Sequence, residues 1–165
     1  MTSAPAGEPV PAPHADARVV HRHVEPETYL DLYRRIGDPL GWDGRLDLGG
    51  KELASFLQDA TIDHHLLEVA DSVAGFCEVD RADWPSVEIV HFGIVPELQG
   101  QRLGPFLLDR TLRAIWALRP QRIWLHTDTW DHPKALDTYL RAGFVVFAER
   151  MIDSAAPISA YRLEE

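Results

Sequence analysis

The chain has 165 residues, of which 45% are hydrophobic and 25% charged. That is room for one domain with a sizeable core and little room for a second. The formal net charge of −10 argues against nonspecific nucleic-acid binding, which needs Lys and Arg to neutralise phosphates. It suits a cationic substrate.

Cys77 is the one cysteine, so an intramolecular disulfide and a cysteine-rich zinc site are both ruled out. No apolar run approaches the roughly 20 residues of a membrane span. The start of the chain lacks the basic-then-apolar pattern of a secretory signal. These features set the expectation of a cytoplasmic protein with no membrane partner.

Residues 1–16 carry Pro5, Pro9, Pro11 and Pro13 without apolar periodicity, which reads as a disordered or extended tail before a domain at 17–165. A strand is expected at Ala17–Val24. Tyr29, Leu32, Tyr33 and Ile36 are spaced i, i+3, i+4 and i+7, one apolar face of a helix ended by Gly37 and Pro39. Asp38–Gly50 reads as a loop, and Leu53, Phe56 and Leu57 as a shorter helix. Strands follow at Ile62–Ala70 and Val73–Val79, with Asp71 and Ser72 as the turn between them. Val87–Val95 is a third strand of this group, stopped by Pro96. A helix from Gly104 to Leu118 presents Leu108, Leu112, Ile115 and Trp116 on one stripe. Arg122–Thr127 reads as a strand and Pro133–Ala142 as a helix capped by Gly143. Phe144–Ile152 and Ile158–Leu163 read as closing strands. This order gives an α/β or α+β sheet with helices on its faces.

The chemistry concentrates where Val87–Val95 runs through a glycine-bearing loop into a helix. Amides at a helix N-terminus have no intrahelical acceptor, and the helix dipole favours an anion there. Gly100 and Gly104 let backbone approach a phosphate closely. Neither G-x-x-x-x-G-K-[ST] nor G-x-G-x-x-G is present, which argues against a nucleotide-binding regulatory domain.

Gln99-Gly100-Gln101-Arg102-Leu103-Gly104 resembles the [Q/R]-x-x-G-x-[G/A] signature of the GNAT acetyltransferases, with Arg102 at the usual middle glycine. Asp131-His132-Pro133-Lys134-Ala135-Leu136-Asp137-Thr138-Tyr139-Leu140-Arg141-Ala142-Gly143-Phe144 is similar to that family's N-x-x-A-x-x-x-Y-x-x-x-G-F segment, with His132 replacing the asparagine. The two segments come in order, separated by a helix and a strand. The resemblance implies a mixed, mostly antiparallel twisted sheet with helices on both faces and a splayed strand pair that admits CoA. It implies acetyl-CoA as co-substrate, a primary amine of a small molecule or peptide as acceptor, and a monomer or homodimer. It places CoA on Ile94, Val95, Gln99, Gly100, Gln101, Arg102, Leu103, Gly104 and His132. Pro105 removes one amide from the first helical turn. A noncatalytic acyl-CoA-binding or interaction module of the same fold is the competing reading.

Acyl transfer to an amine needs a base for the amine, a donor for the oxyanion and an acid for the thiolate. Tyr139 is the candidate acid, because the resemblance sets it beside the CoA sulfur; a core tyrosine is the alternative. Glu88 is the candidate base, a carboxylate in an otherwise apolar strand. His91, His126 and Asp128 are rivals, and strict alternation would put His91 on the face opposite Glu88. By resemblance the oxyanion donor is a backbone N–H at Ile94 or Val95. Trp124 and Trp130 flank the expected cleft. Asp128 and Asp131 near the motifs suit a cationic amine. His64-His65 and His21-x-His23 lack the companions of a zinc site, so no metal is expected.

Overall fold

The computed structural model describes residues 1–151. In chain order the elements are β1 (Ala17–His21), α1 (Pro26–Gly37), α2 (Gly50–Leu57), β2 (Ile62–Val69), β3 (Ser72–Asp80), β4 (Ser86–Ile94), α3 (Leu103–Ala117), β5 (Arg122–Leu125) and α4 (Ala135–Arg141). The sheet runs β1-β2-β3-β4-β5. The first three pairings are antiparallel and β4–β5 is parallel. The β2–β3 turn falls at Ala70 and Asp71, both at positive φ, the backbone of a tight hairpin turn.

The predicted apolar face of α1 is the buried one: Tyr29, Leu32, Tyr33 and Ile36 are 1–4% exposed. It packs on the sheet through Gly93, where a Cβ would collide with Ile36 Cγ2. Only glycine lets helix and strand meet this closely. Residues paired directly across antiparallel strands share a face. Tyr29 reaches Glu78, so α1 covers the face of Glu78, Phe76 and Gly93. The opposite face carries Cys77 and Phe92, which pair with each other, and is covered by α3 with Leu107, Leu108, Leu112 and Ile115 buried.

β5 pairs with β4 from Ser86↔Arg122 to Ile89↔Leu125 and then ends, two residues short of the expected Thr127, while β4 continues to Ile94. The strands fork at that point. The expected strand at Phe144–Ile152 does not form within the described residues. Phe144–Met151 is irregular, with Val145, Val146 and Phe147 exposed. On the side of β5 away from β4, Ile123 N–H donates to the Met1 carbonyl at 3.0 Å. The expected strand at Ile158–Leu163 lies outside the described residues.

Residues 1–16, expected as a disordered or extended tail, are extended chain bonded to the domain. Val10 N–H donates to Asp109 Oδ2, and Arg110 and Arg113 of α3 donate to the Val10 and Gly7 carbonyls. The composition forbids a core of their own, not docking onto another surface. No helix among the described residues is long and apolar enough to cross a membrane.

Candidate active site

Between β4 and α3 the chain makes a short turn at Pro96–Leu98. It then passes through Gly100 at φ 79° and Arg102 at φ 62°, ψ 12° before α3 begins at Leu103. Two left-handed residues turn the strand into the helix. The second is an arginine, where a residue with a Cβ costs about 1–2 kcal/mol. The N–H groups of Gly100, Gln101, Arg102, Leu103 and Gly104 have no acceptor among the described residues. Pro105 follows at the third helical position and has no N–H to offer. Phe106 N–H returns to the Arg102 carbonyl at 3.4 Å. Five free amides therefore converge at the positive end of a 15-residue helix. The exposed Arg102 guanidinium has no acidic partner among the described residues.

Four residues of this run, Gly100, Arg102, Leu103 and Gly104, border a cleft of about 1380 Å³ between α3 and α4. Ile94, Gln99, Gly100, Arg102, Leu103, Gly104, His132 and Tyr139 line it, whereas Val95, Gln101 and Glu88 do not. Trp124 and Trp130, expected beside it, also stay outside its walls. Gln99 Nε2 donates to the Ile94 carbonyl at 3.1 Å, tying the loop to the strand end. The Val95 N–H is consumed by the Ala74 carbonyl at 2.9 Å, so Val95 has no oxyanion donor to give. Alternation of the ladder then turns the Ile94 N–H away from β3, toward the fork where β5 has ended.

Tyr139 stands on α4 with its ring 5.9 Å from Phe92 and 6.1 Å from Phe144, and is 7% exposed. Burial, with the Asp131 charge adding to it, raises its phenol well above the ordinary tyrosine value. The hydroxyl keeps its proton at neutral pH. His132 Nδ1 accepts the Lys134 N–H at 3.1 Å, fixing the turn into α4.

Glu88 and His126 meet at the fork. Glu88 pairs with Trp124 one step before the strands part, and His126 follows the last residue of β5. Their side chains approach to 3.3 Å. The hydrogen bond to Glu88 raises the His126 pKa, against the opposing effect of partial burial. The expectation that His91 faces away from Glu88 is wrong. A register shift between Glu78 and Val79 pairs Glu78 with His91, Val79 with Ile89 and Asp80 with Glu88. The extra residue, Val90, is a β-bulge, and it brings His91 and Glu88 to the same face.

Sequence reasoning missed Glu78, whose side chain is fully buried. Its Oε2 accepts from Tyr29 at 2.6 Å, and its Oε1 accepts from Arg45 at 2.9 Å and contacts His91 Nδ1 at 3.0 Å. His64 Nε2 is 3.4 Å from Oε2. Desolvation pushes the carboxyl up, but His91, His64 and Arg45 together outweigh it, and its pKa lies well below the ordinary glutamate value. Burial pushes the Tyr33 phenol, beside the cluster, up to about 12. The signal was a glutamate inside the apolar run Val73–Val79. His91 is thus committed to a structural ion cluster beneath Trp42, whose ring is 4.7 Å away.

His64 and His65 point to opposite faces, one to Glu78 and one stacked on His21 at 4.9 Å. Among the described residues no group of three His, Cys, Asp or Glu side chains is arranged to hold a metal ion.

With the forked β4–β5 pair and the loop into α3 in place, residues 23–144 match the acetyltransferase (GNAT) family. The chain belongs to the GNAT acetyltransferase family. Among solved structures, the GNAT chain is similar to an aminoglycoside acetyltransferase from an uncultured soil metagenomic sample, with TM-score 0.67 and 14% identity over 90% of this chain and 97% of that one. An aminoglycoside N-acetyltransferase in complex with CoA gives 0.63 and 15%, over 83% and 93%. The Escherichia coli ribosomal-protein-S18-alanine N-acetyltransferase gives 0.59 and 16%, over 76% and 77%. At these identities the likeness is one of fold. No curated protein matches the sequence.

Proposed function

We propose that this GNAT protein transfers an acetyl group from acetyl-CoA to a primary amine of a small molecule or peptide. The observation that carries the reading is the run of five amides, Gly100–Gly104, with no acceptor among the described residues, at the N-terminus of α3 beside the β4–β5 fork. These amides, with the Arg102 guanidinium, would hold the pyrophosphate; Ile94, Gln99 and His132 would line the arm that follows it. Acetyl-CoA supplies the activated thioester. The solved neighbours include enzymes named for aminoglycosides and for a protein N-terminal alanine, which supports an amine acceptor.

Glu88, held by His126 where the strands part, takes the proton of the amine. The Ile94 N–H, turned into the fork, donates to the carbonyl oxygen as charge develops there. Tyr139 stays protonated in its buried site and donates a hydrogen bond to the departing thiolate; its raised pKa opposes complete proton transfer, so the thiolate takes its final proton from solvent. The second reading, a noncatalytic CoA-binding module, draws support from the strained Arg102 and from Pro105.

The test is a melting curve with acetyl-CoA, with CoA and ATP as controls, followed by thiol release against an amine panel. Ligand at about 100 times its Kd adds about 2.7 kcal/mol, a rise of roughly 5–10 °C for a domain of this size. No shift at millimolar acetyl-CoA would refute the proposal. A shift without thiol release would favour the noncatalytic reading. Tyr139→Phe should bind acetyl-CoA normally and release thiol at least tenfold more slowly; full turnover at every pH would remove Tyr139 as the acid.

A further inference from the structure

Pro5, Ala6, Glu8, Val10, Pro11 and Pro13 line the same cleft as Gly100, Gly104, His132 and Tyr139. The first residues of the chain therefore border the space the proposed function assigns to the acyl donor. We propose that residues 5–13 form a strap that competes with CoA for this cleft, so that donor binding requires the strap to leave. The inference rests on the cleft being the CoA site.

The strap is held by its backbone, not by structure of its own. Both polar groups of Val10 are engaged by α3: its N–H donates to Asp109 Oδ2 at 3.1 Å, and its carbonyl accepts from Arg110 Nη2 at 3.1 Å. Arg113 Nη2 donates to the Gly7 carbonyl at 3.0 Å. Asp109 is 8% exposed and is oriented by Arg113 Nε, which donates to both its oxygens. A buried carboxylate held by Arg113, with Arg110 Nη1 3.8 Å from its Oδ2, and aimed at a backbone amide is a built recognition point for this segment.

Composition fits the role. Pro5, Pro9, Pro11 and Pro13 preset an extended backbone, so docking orders fewer free torsions. Glu8 adds a negative charge at the border of the cleft, which disfavours an anionic donor while the strap is docked. The hold is nevertheless light. Most of residues 2–12 are exposed, and three hydrogen bonds fix the segment to α3. Such a strap is displaceable. If the open form is a fraction f of the population, the apparent Kd for the donor is the intrinsic Kd divided by f. A strap docked about ten to one weakens acetyl-CoA about tenfold.

The experiment measures acetyl-CoA affinity calorimetrically on the full chain and on two full-length variants. Val10→Pro deletes the amide that Asp109 holds and keeps the backbone extended. Pro9→Gly with Pro11→Gly leaves the bonds but raises the entropy of the undocked strap. Both are predicted to bind acetyl-CoA about five- to tenfold more tightly than the parent. Hydrogen exchange on the parent gives a readout independent of affinity: saturating acetyl-CoA should speed exchange at the Val10 amide. Equal or weaker binding by both variants, with the Val10 amide still protected under acetyl-CoA, would make the segment a wall of the site and overturn the strap. If neither the parent nor the variants bind acetyl-CoA, the functional reading falls and the strap with it.

Discussion

Replacing Glu78 by Gln tests whether the buried cluster between β3, α1 and the Asp38–Gly50 loop holds this part of the domain together. The carboxylate is fully desolvated and faces Tyr29, Arg45, His91 and His64. Glutamine keeps the shape, removes the charge that Arg45 faces and replaces one of the two acceptor oxygens by an NH₂ group. Removing one partner of a buried ion pair costs about 3–5 kcal/mol. The Arg45 side chain keeps 23% exposure and recovers part of its hydration, which places the cost near 3 kcal/mol. For a domain of this length that is a fall in melting temperature of roughly 6–12 °C. Circular dichroism melts at pH 7 measure it directly. The pH dependence supplies an internal control. The folded pKa of Glu78 is depressed, so its contribution is complete above the unfolded value of about 4.3 and fades as pH falls toward the folded one. The gap between parent and variant should narrow in that acid window. A variant that melts within about 2 °C of the parent at pH 7 would refute the reasoning, because a carboxylate so placed cannot lose its charge at no cost.

Arg102→Gly relieves a left-handed residue and should raise stability by up to about 1 kcal/mol, while acetyl-CoA binds about 2–5-fold more weakly for want of an exposed cation; unchanged affinity would place the guanidinium in solvent. His126→Gln should shift the acid limb of kcat/KM to lower pH. The protonated His126 that ties up Glu88 has a raised pKa and in the parent is lost only as pH rises above about 6.5. A limb that does not move would separate His126 from the base. His65 is buried and titrates at about 4. The native state thus stays neutral while the unfolded chain takes up a proton near pH 6.5, and stability should drop by up to about 3 kcal/mol as pH falls from there to about 4. Denaturant melts of His65→Phe should show a flatter slope over that range; the same slope in both would clear His65.

The α1 stripe, the β2–β3 hairpin, the entry of β4 into α3 and the two motif segments were all legible in the sequence. Each depends on local periodicity, turn chemistry or fixed spacing, and these act over a few residues. The relation of Glu88 to His91 was not legible, because a bulge at Val90 overrides alternation and exists only as a register between two strands. The role of Glu78 was hidden for a related reason: its partners come from positions 29, 45, 64 and 91, which only packing brings together. The loss of the Val95 amide to Ala74 is likewise a cross-strand event. The segment Phe144–Met151 has strand composition, yet a strand needs a free partner edge, and that depends on what else reaches β5. Residues 1–16 carry too little apolar content to fold alone, and that much their composition determined. Only the tertiary structure could lay them along the cleft border, because the carboxylate and guanidinium groups that hold Val10 and Gly7 sit on a helix about a hundred residues away.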